Sequence, residues 1–441
     1  MKNNFFFKFT TEQKKRVKKN FVSLLSNLSS KLLIQIIYPP LMLLFWGVEN
    51  FGIWIFVTAI PSTLTMFNLN FSLAAKIEMS INDVKNKKNL VNTTFHNGFG
   101  LILMNMIIFT IIWVSALFLT DLNFKIFESF NPHELKLLLI PIILSFYFTI
   151  FDSILDTGIT YRGKLNIATN VKTFFNFFSK MSIIICGIFF ESLVYAAIIF
   201  FIVSVLQTLF LYYYYFKNRK YIFLSIKLVS LKNSLKLFRL SLSYYAEVIT
   251  TLAKHNGLII LLGVFFTAEL VGMVSTVKTL FYFLPLKFIN LLVHTSIYEY
   301  SIAYSKKKMQ LLKHNFKSHM FYTILLLFIF ILISLLIGPK IYNFWTNNKY
   351  ELNYFILLLI VFDSVFYNLR DSICAIIKSV NQFFKPAIIE AILSILALLI
   401  SYYYLMLGYS LISVFLINLI ATSVSLIFFS YFSFKFYNKI K

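Results

Sequence analysis

Ser241–Val264 reads SLSYYAEVITTLAKHNGLIILLGV. As a helix rising 1.5 Å per residue it is long enough to cross a hydrocarbon core of about 30 Å. Lys254 and His255 fall near its middle and Glu247 two turns earlier. A charge at bilayer depth costs roughly 2.5–3.5 kcal/mol on insertion scales, so a helix keeps such residues only where they face protein or water. The stretch therefore predicts a spanning helix that lines a polar path.

The rest of the chain agrees with that reading. Its 441 residues are 59% hydrophobic, 19% aromatic and only 13% charged, against about 25% charged in a soluble domain. This composition specifies an all-α polytopic membrane protein. The net charge of +24 would suggest nucleic acid in a soluble chain. Here the cations lie mainly between apolar runs, where they set topology, and no nucleic-acid partner is expected. Cys186 and Cys374 sit in apolar runs without metal-ligand spacing. No HExxH, GxxxxGK[ST] or GxSxG pattern occurs, so neither a metal, a cofactor nor a catalytic residue is expected, and the protein reads as a transporter and not an enzyme.

About twelve stretches approach the 20 apolar residues that a span requires. Their cores are 24–46, 53–75, 96–120, 135–158, 167–190, 193–216, 240–264, 270–296, 318–338, 353–377, 386–407 and 410–432. Every second connection is basic, from Lys14–Lys19 through Lys85–Lys88, Arg162–Lys164, Lys217–Arg239 and Lys306–Lys317 to Lys435–Lys441. The alternate connections carry Glu49, Glu191 or Glu269. By the positive-inside rule both termini and the basic loops are cytoplasmic. The expected organisation is a basic tail (1–20), a six-helix bundle (21–216), a cytoplasmic linker (217–239), a second six-helix bundle (240–432) and a short tail (433–441). The piece 221–229 of the linker could lie along the inner membrane surface.

Short identities recur about half a chain apart. Glu49-Asn50-Phe51-Gly52 matches Glu269-Leu270-Val271-Gly272, and Phe151-Asp152-Ser153-Ile154 matches Phe362-Asp363-Ser364-Val365. Pro61 and Pro285 fall in the second span of each half. An offset of six spans leaves matching helices pointing the same way, a parallel repeat with the substrate path between two bundles.

Within the spans the candidate anion-binding residues are Lys31, Lys180, Lys254, Lys278, Lys287 and Arg370. Lys172, Asn176 and Lys180 share one face at helical spacing. The intramembrane acids are Glu247, Asp363, Asp371 and Glu390, with Asp152 and Asp156 nearer a membrane face. Some of these charges must pair and hold helices together. Lysine outnumbers carboxylate at mid-depth, so the expected cavity is cationic and suits phosphate or carboxylate. Glu247, His255, Asp152 and Asp363 are the candidates for ion coupling, His because its imidazole titrates near about 6.5.

Gly47-Val48-Glu49-Asn50-Phe51-Gly52-Ile53-Trp54 resembles the GxExxGxW-like signature of the bacterial polysaccharide (O-antigen) flippases, and Asn343-Phe344-Trp345-Thr346 resembles their tryptophan motif after the ninth helix. Their superfamily also holds the multidrug and toxic compound extruders (MATE). The resemblance implies a MATE-like fold and an inner-to-outer-leaflet flippase for undecaprenyl-diphosphate-linked oligosaccharide, such as an O-antigen or capsule unit. It also implies alternating access in the bacterial cytoplasmic membrane, with membrane lipids, a polysaccharide polymerase and a chain-length regulator as partners. A multidrug exporter of the same fold would want an acidic cavity. A membrane glycosyltransferase or polymerase would want a large external loop with paired carboxylates, and a mere scaffold would not keep lysines at mid-depth.

Overall fold

The computed structural model describes residues 11–119, 124–128, 132–218, 222–223, 225, 229–380 and 382–439. Most of the expected interfacial piece 221–229 and the first ten residues lie outside them. The described chain is helical: α1 (Thr11–Val84), α2 (Lys88–Leu119), α3 (Pro132–Thr160), α4 (Leu165–Phe189), α5 (Leu193–Asn218) and α6 (Leu231–Thr251), then α7 (Leu258–Phe265), α8 (Ala268–Lys278), α9 (Leu284–Ser305) and α10 (Met309–Leu336). The short α11 (Gly338–Trp345) leads to α12 (Tyr354–Lys378), α13 (Phe384–Met406) and α14 (Leu411–Lys439). Two π-helical turns, Leu252–Gly257 and Thr279–Phe283, interrupt the path from α6 to α9.

Among the described residues ten helices are long and apolar enough to cross a membrane, against the twelve stretches read from the sequence. Two features account for the difference. The stretches 24–46 and 53–75 belong to one continuous element, α1, broken at Gly47, whose φ of 75° is open to glycine and costly for other residues. The stretch 353–377 is α12, which carries Asp363, Arg370, Asp371 and Lys378 and so is not among the ten. The tails are also more helical than expected, since α1 starts at Thr11 and α14 runs to Lys439.

The chain divides into two compact units. Unit 1 is Met1–Tyr38, Leu64–Leu122 and Asn131–Leu242; unit 2 is Pro39–Thr63, Asn123–Phe130 and Ser243–Lys441. Residues 39–63 of α1 belong to unit 2 and the residues on either side of them to unit 1. The change comes at Pro39-Pro40 and reverses just beyond Pro61, where missing amide donors loosen the helix ladder.

Residues 39–63 are packed into unit 2 by close contact. A Cβ on Gly52 would collide with the Ala268 carbonyl, and one on Gly263 with the Phe56 ring. Asn256 Nδ2 donates to Ser62 Oγ (2.9 Å), and Phe56 meets Phe124 and Phe127 edge-on. Gly272, which matches Gly52 in the repeated motif, also sits where a side chain has no room, against Tyr350 and Phe51. Both motif glycines are thus fixed by close approach of neighbouring groups.

Unit 1 is built on an apolar core that includes Phe95, Ile154, Leu211 and Tyr215, with Phe95 and Tyr215 stacked at 5.9 Å. The second recurring motif shows the repeat in the packing. In unit 1, Asp152 on α3 accepts from Thr208 Oγ1 on α5 (2.6 Å). In unit 2, Asp363 on α12 accepts from Thr422 Oγ1 on α14 (2.5 Å). The same motif aspartate takes a threonine hydroxyl from the helix that corresponds in the other half.

Candidate functional site

The buried charges of unit 2 form one network. α12 organises it, because Asp363, Tyr367, Arg370, Asp371, Cys374 and Lys378 recur at helical spacing and share a face. Arg370 and Glu390 (α13) make a direct ion pair. Both are buried, each 4% exposed. Arg370 also lies 3.9 Å from Asp371. Its guanidinium stacks over Tyr367, 4.0 Å from the ring centre, and faces Phe429 at 5.4 Å. Lys378 joins Asp371 (2.8 Å) to Glu247 on α6 (2.7 Å).

Lys254 enters from the first π-turn. Its Nζ donates to Thr422 Oγ1 (2.9 Å), lies 3.7 Å from Glu390 and sits over Tyr367 at 5.0 Å. Thr422 therefore relays Lys254 to Asp363. Lys278, the last residue of α8, donates to the backbone carbonyl of Lys254 (2.8 Å). A π-turn loosens the regular i→i+4 ladder and is common at functional sites. Here the two π-turns meet, as the His255 ring packs on Tyr282 (5.3 Å) and Phe283 (4.7 Å). Thr422, Tyr367 and Lys378 were not singled out from the sequence. The stripe along α12 would have given two of them, whereas Thr422 became visible only through packing of α14 on α12.

A cavity of about 320 Å³ opens beside the network, lined by Glu247, Arg370, Asp371, Lys378 and Glu390 together with His294 and neighbouring apolar groups. Four cations (Lys254, Lys278, Arg370, Lys378) meet four carboxylates (Glu247, Asp363, Asp371, Glu390), so the surplus of lysine expected at mid-depth is offset in this unit. The arrangement holds helices in register and can bind a polar or ionic group. Among the described residues no cluster of three or more His, Cys, Asp or Glu side chains could hold a metal. Lys287, on α9, is half-buried.

Unit 1 is different. Lys172 pairs with Asp156 (2.6 Å). Lys180, further along the same α4 stripe, lies over the Tyr38 ring at 4.7 Å. Lys31, on α1, is exposed. Among the described residues neither Lys31 nor Lys180 forms an ion pair with a carboxylate. Asp152 is the reverse case: it is 2% exposed and bonded by the neutral donors Gln207 Nε2 (2.6 Å) and Thr208 Oγ1. The candidate residues thus separate into a group gathered in unit 2 (Lys254, Lys278, Arg370, Glu247, His255, Asp363) and a dispersed group in unit 1 (Lys31, Lys180, Asp152).

This helix order has counterparts among solved structures. The lipid II flippase MurJ in an inward closed conformation superposes with a TM-score of 0.70 at 17% identity, over 95% of this chain and 90% of that one. An inward-facing MATE multidrug resistance transporter of the MOP superfamily gives 0.66 at 13% identity, over 96% and 98%. The chain has a MATE-like fold. A third similar structure, a MOP superfamily transporter from Pyrococcus furiosus described as having a binding pocket of reversed polarity, gives 0.55 at 15% identity over 97% and 96%. No family model matches the sequence, and no curated protein matches it. At these identities the likeness shows the architecture; cargo has to be argued from this chain's own side chains.

Proposed function

We propose that the protein is a flippase for an anionic lipid-linked saccharide, an undecaprenyl-diphosphate-linked oligosaccharide such as an O-antigen or capsule unit, working by alternating access between the leaflets of the bacterial cytoplasmic membrane. Both termini are cytoplasmic on this reading, in keeping with the basic connections. The observation that carries it is the pair Lys31 and Lys180, mid-helix cations in unit 1 with no carboxylate partner among the described residues. A cation kept at that depth without an internal counter-ion needs an external one, and a diphosphate supplies it.

The carboxylates of unit 2 support the same reading, since Glu247, Asp371 and Glu390 are committed to Lys378 and Arg370 and leave little negative charge for a cationic drug. Asp152, buried among neutral donors, is the acid best placed to take up a coupling proton or ion, with Glu247, His255 and Asp363 as further candidates. A polysaccharide polymerase and its chain-length regulator would use the delivered product. The test is reconstitution of the full chain in proteoliposomes with a labelled undecaprenyl-diphosphate oligosaccharide. Movement of that lipid between leaflets, with no export of a cationic dye, is the expected result. Dye export without lipid movement would replace this reading with a multidrug exporter.

A further inference from the structure

Unit 1 has a groove that the residues considered so far do not use. It runs between α1 and α4 with a volume of about 930 Å³. At one end Lys15, Lys18 and Lys19 form an exposed lip. They fall within four residues of each other, about 6 Å along the helix axis. Further in, Val22, Phe174 and Phe177 make an apolar wall, with Val22 55%, Phe174 63% and Phe177 44% exposed. The floor is polar and held in place: Ser23 bonds Asn170, and Thr173 Oγ1 accepts from Asn27 Nδ2 behind it (2.6 Å). Among the described residues no carboxylate lines the groove. From Lys15 to Ser30 it extends about 22 Å along α1.

We propose that this groove is a docking site for a lipid with a diphosphate head: the diphosphate on Lys15, Lys18 and Lys19, and the hydrocarbon chain along Val22, Phe174 and Phe177. The proposal rests on the anionic-cargo reading and gives it a site of first contact, separate from Lys31 and Lys180. Three features carry it. Positive charge with no carboxylate among the described lining residues selects an anion. The groove runs from that charge onto phenylalanines of a membrane-crossing helix, so an anion held at the lip can keep an attached hydrocarbon chain in the bilayer. Three ammonium groups within one turn exceed the need of a single phosphodiester and match two adjacent phosphates, each taking charge-assisted hydrogen bonds.

The test uses the full-length protein in neutral phosphatidylcholine nanodiscs with labelled undecaprenyl diphosphate as the probe. Neutralising the lip together (Lys15→Gln, Lys18→Gln, Lys19→Gln) should weaken binding by about tenfold or more, since each basic residue at a membrane surface contributes measurably to anionic-lipid attraction. The triple arginine variant should keep most of it. The lysines are exposed, and an unchanged elution volume and melting temperature confirm folding. Wild-type affinity in the triple glutamine variant overturns the proposal. So does equal displacement of the probe by phosphatidylglycerol at the same mole fraction, which would make the groove a general acidic-lipid surface. Translocation by the triple glutamine variant at the wild-type rate overturns it too and leaves the flippase reading standing. A wild-type protein that binds the probe at the lip but moves no lipid overturns the flippase reading and leaves the groove.

Discussion

Asp152 and Asp363 occupy the same place in the repeat and are held by threonine in the same way, yet their surroundings diverge. Around Asp363, Thr422 leads to Lys254, then to Glu390, Arg370, Asp371, Lys378 and Glu247, and positive and negative groups balance. Around Asp152 the hydrogen-bond donors are Gln207 and Thr208, and the mid-helix lysines Lys31 and Lys180 form no ion pair with a carboxylate among the described residues. A duplicated scaffold has thus been used twice. In one copy the buried charges neutralise each other and fix the helices. In the other, Lys172 pairs with Asp156, while Lys31 and Lys180 form no ion pair with a carboxylate among the described residues.

The sharpest way to break this comparison is to unpair the network. Glu390→Ala should leave Arg370 and Lys254 buried beside a gap and cost about 3–5 kcal/mol, as loss of one partner of a buried pair does. Membrane abundance and melting temperature should fall steeply. The double change Arg370→Met with Glu390→Met should recover much of the loss, because it removes both charges together. Normal stability of Glu390→Ala would show that the network is not closed.

Unit 1 should respond in the opposite way. Lys31→Met and Lys180→Met should leave abundance unchanged or raised, while translocation falls by about tenfold, the loss expected when one charge-assisted contact to the cargo is removed. Abundance and translocation are measured on the same preparations. A fall in abundance matching that of Glu390→Ala would erase the distinction between the two units.

The paired aspartates offer a finer test. Asp152→Asn keeps an acceptor for Thr208 and removes a charge whose hydrogen-bond donors are neutral, so its effect on stability should stay within about 1 kcal/mol. Asp363→Asn should cost more, because it also weakens the hold on Lys254. If Asp152 takes up the coupling ion, Asp152→Asn should abolish the dependence of transport on an imposed gradient. Equal gradient dependence in wild type and variant would return Asp152 to a structural role.

The smallest effect on function is expected from labelling positions, which examine the repeat itself. Cysteines replacing Lys87 in unit 1 and Lys308 in unit 2 should both be protected from an impermeant reagent in intact cells, since a parallel repeat puts both basic connections on the cytoplasmic side. A cysteine replacing Lys349 should react. Reaction at Lys87 with protection at Lys308 would rule out the parallel arrangement.

The α-helical class, the membrane setting and the repeat were legible because bilayer solvation imposes long apolar runs on the chain and duplication leaves matching motifs. The polar stripe on α12 was legible too, since Asp363, Arg370, Asp371 and Lys378 recur at helical spacing. The assignment of 39–63 to unit 2 was not. It depends on Gly52 meeting Ala268 and Phe56 meeting Gly263, contacts between residues far apart in sequence. A proline pair marks where a helix can bend and says nothing of what it will pack against.

The sequence by itself therefore determined that charged residues sit on membrane helices, and which ones, because composition and periodicity are properties of the chain. Only the tertiary structure decided which of those charges are spent on each other. Lys254 and Lys31 read alike along the chain, each a lysine near the middle of the first helix of its half. Packing of α12, α13 and α14 brings Glu390 and Thr422 to Lys254, and nothing comparable reaches Lys31 among the described residues. Electrostatic pairing is decided by distances of a few ångströms in space, and residues such as Lys254 and Thr422, brought together by packing, lie far apart along the chain.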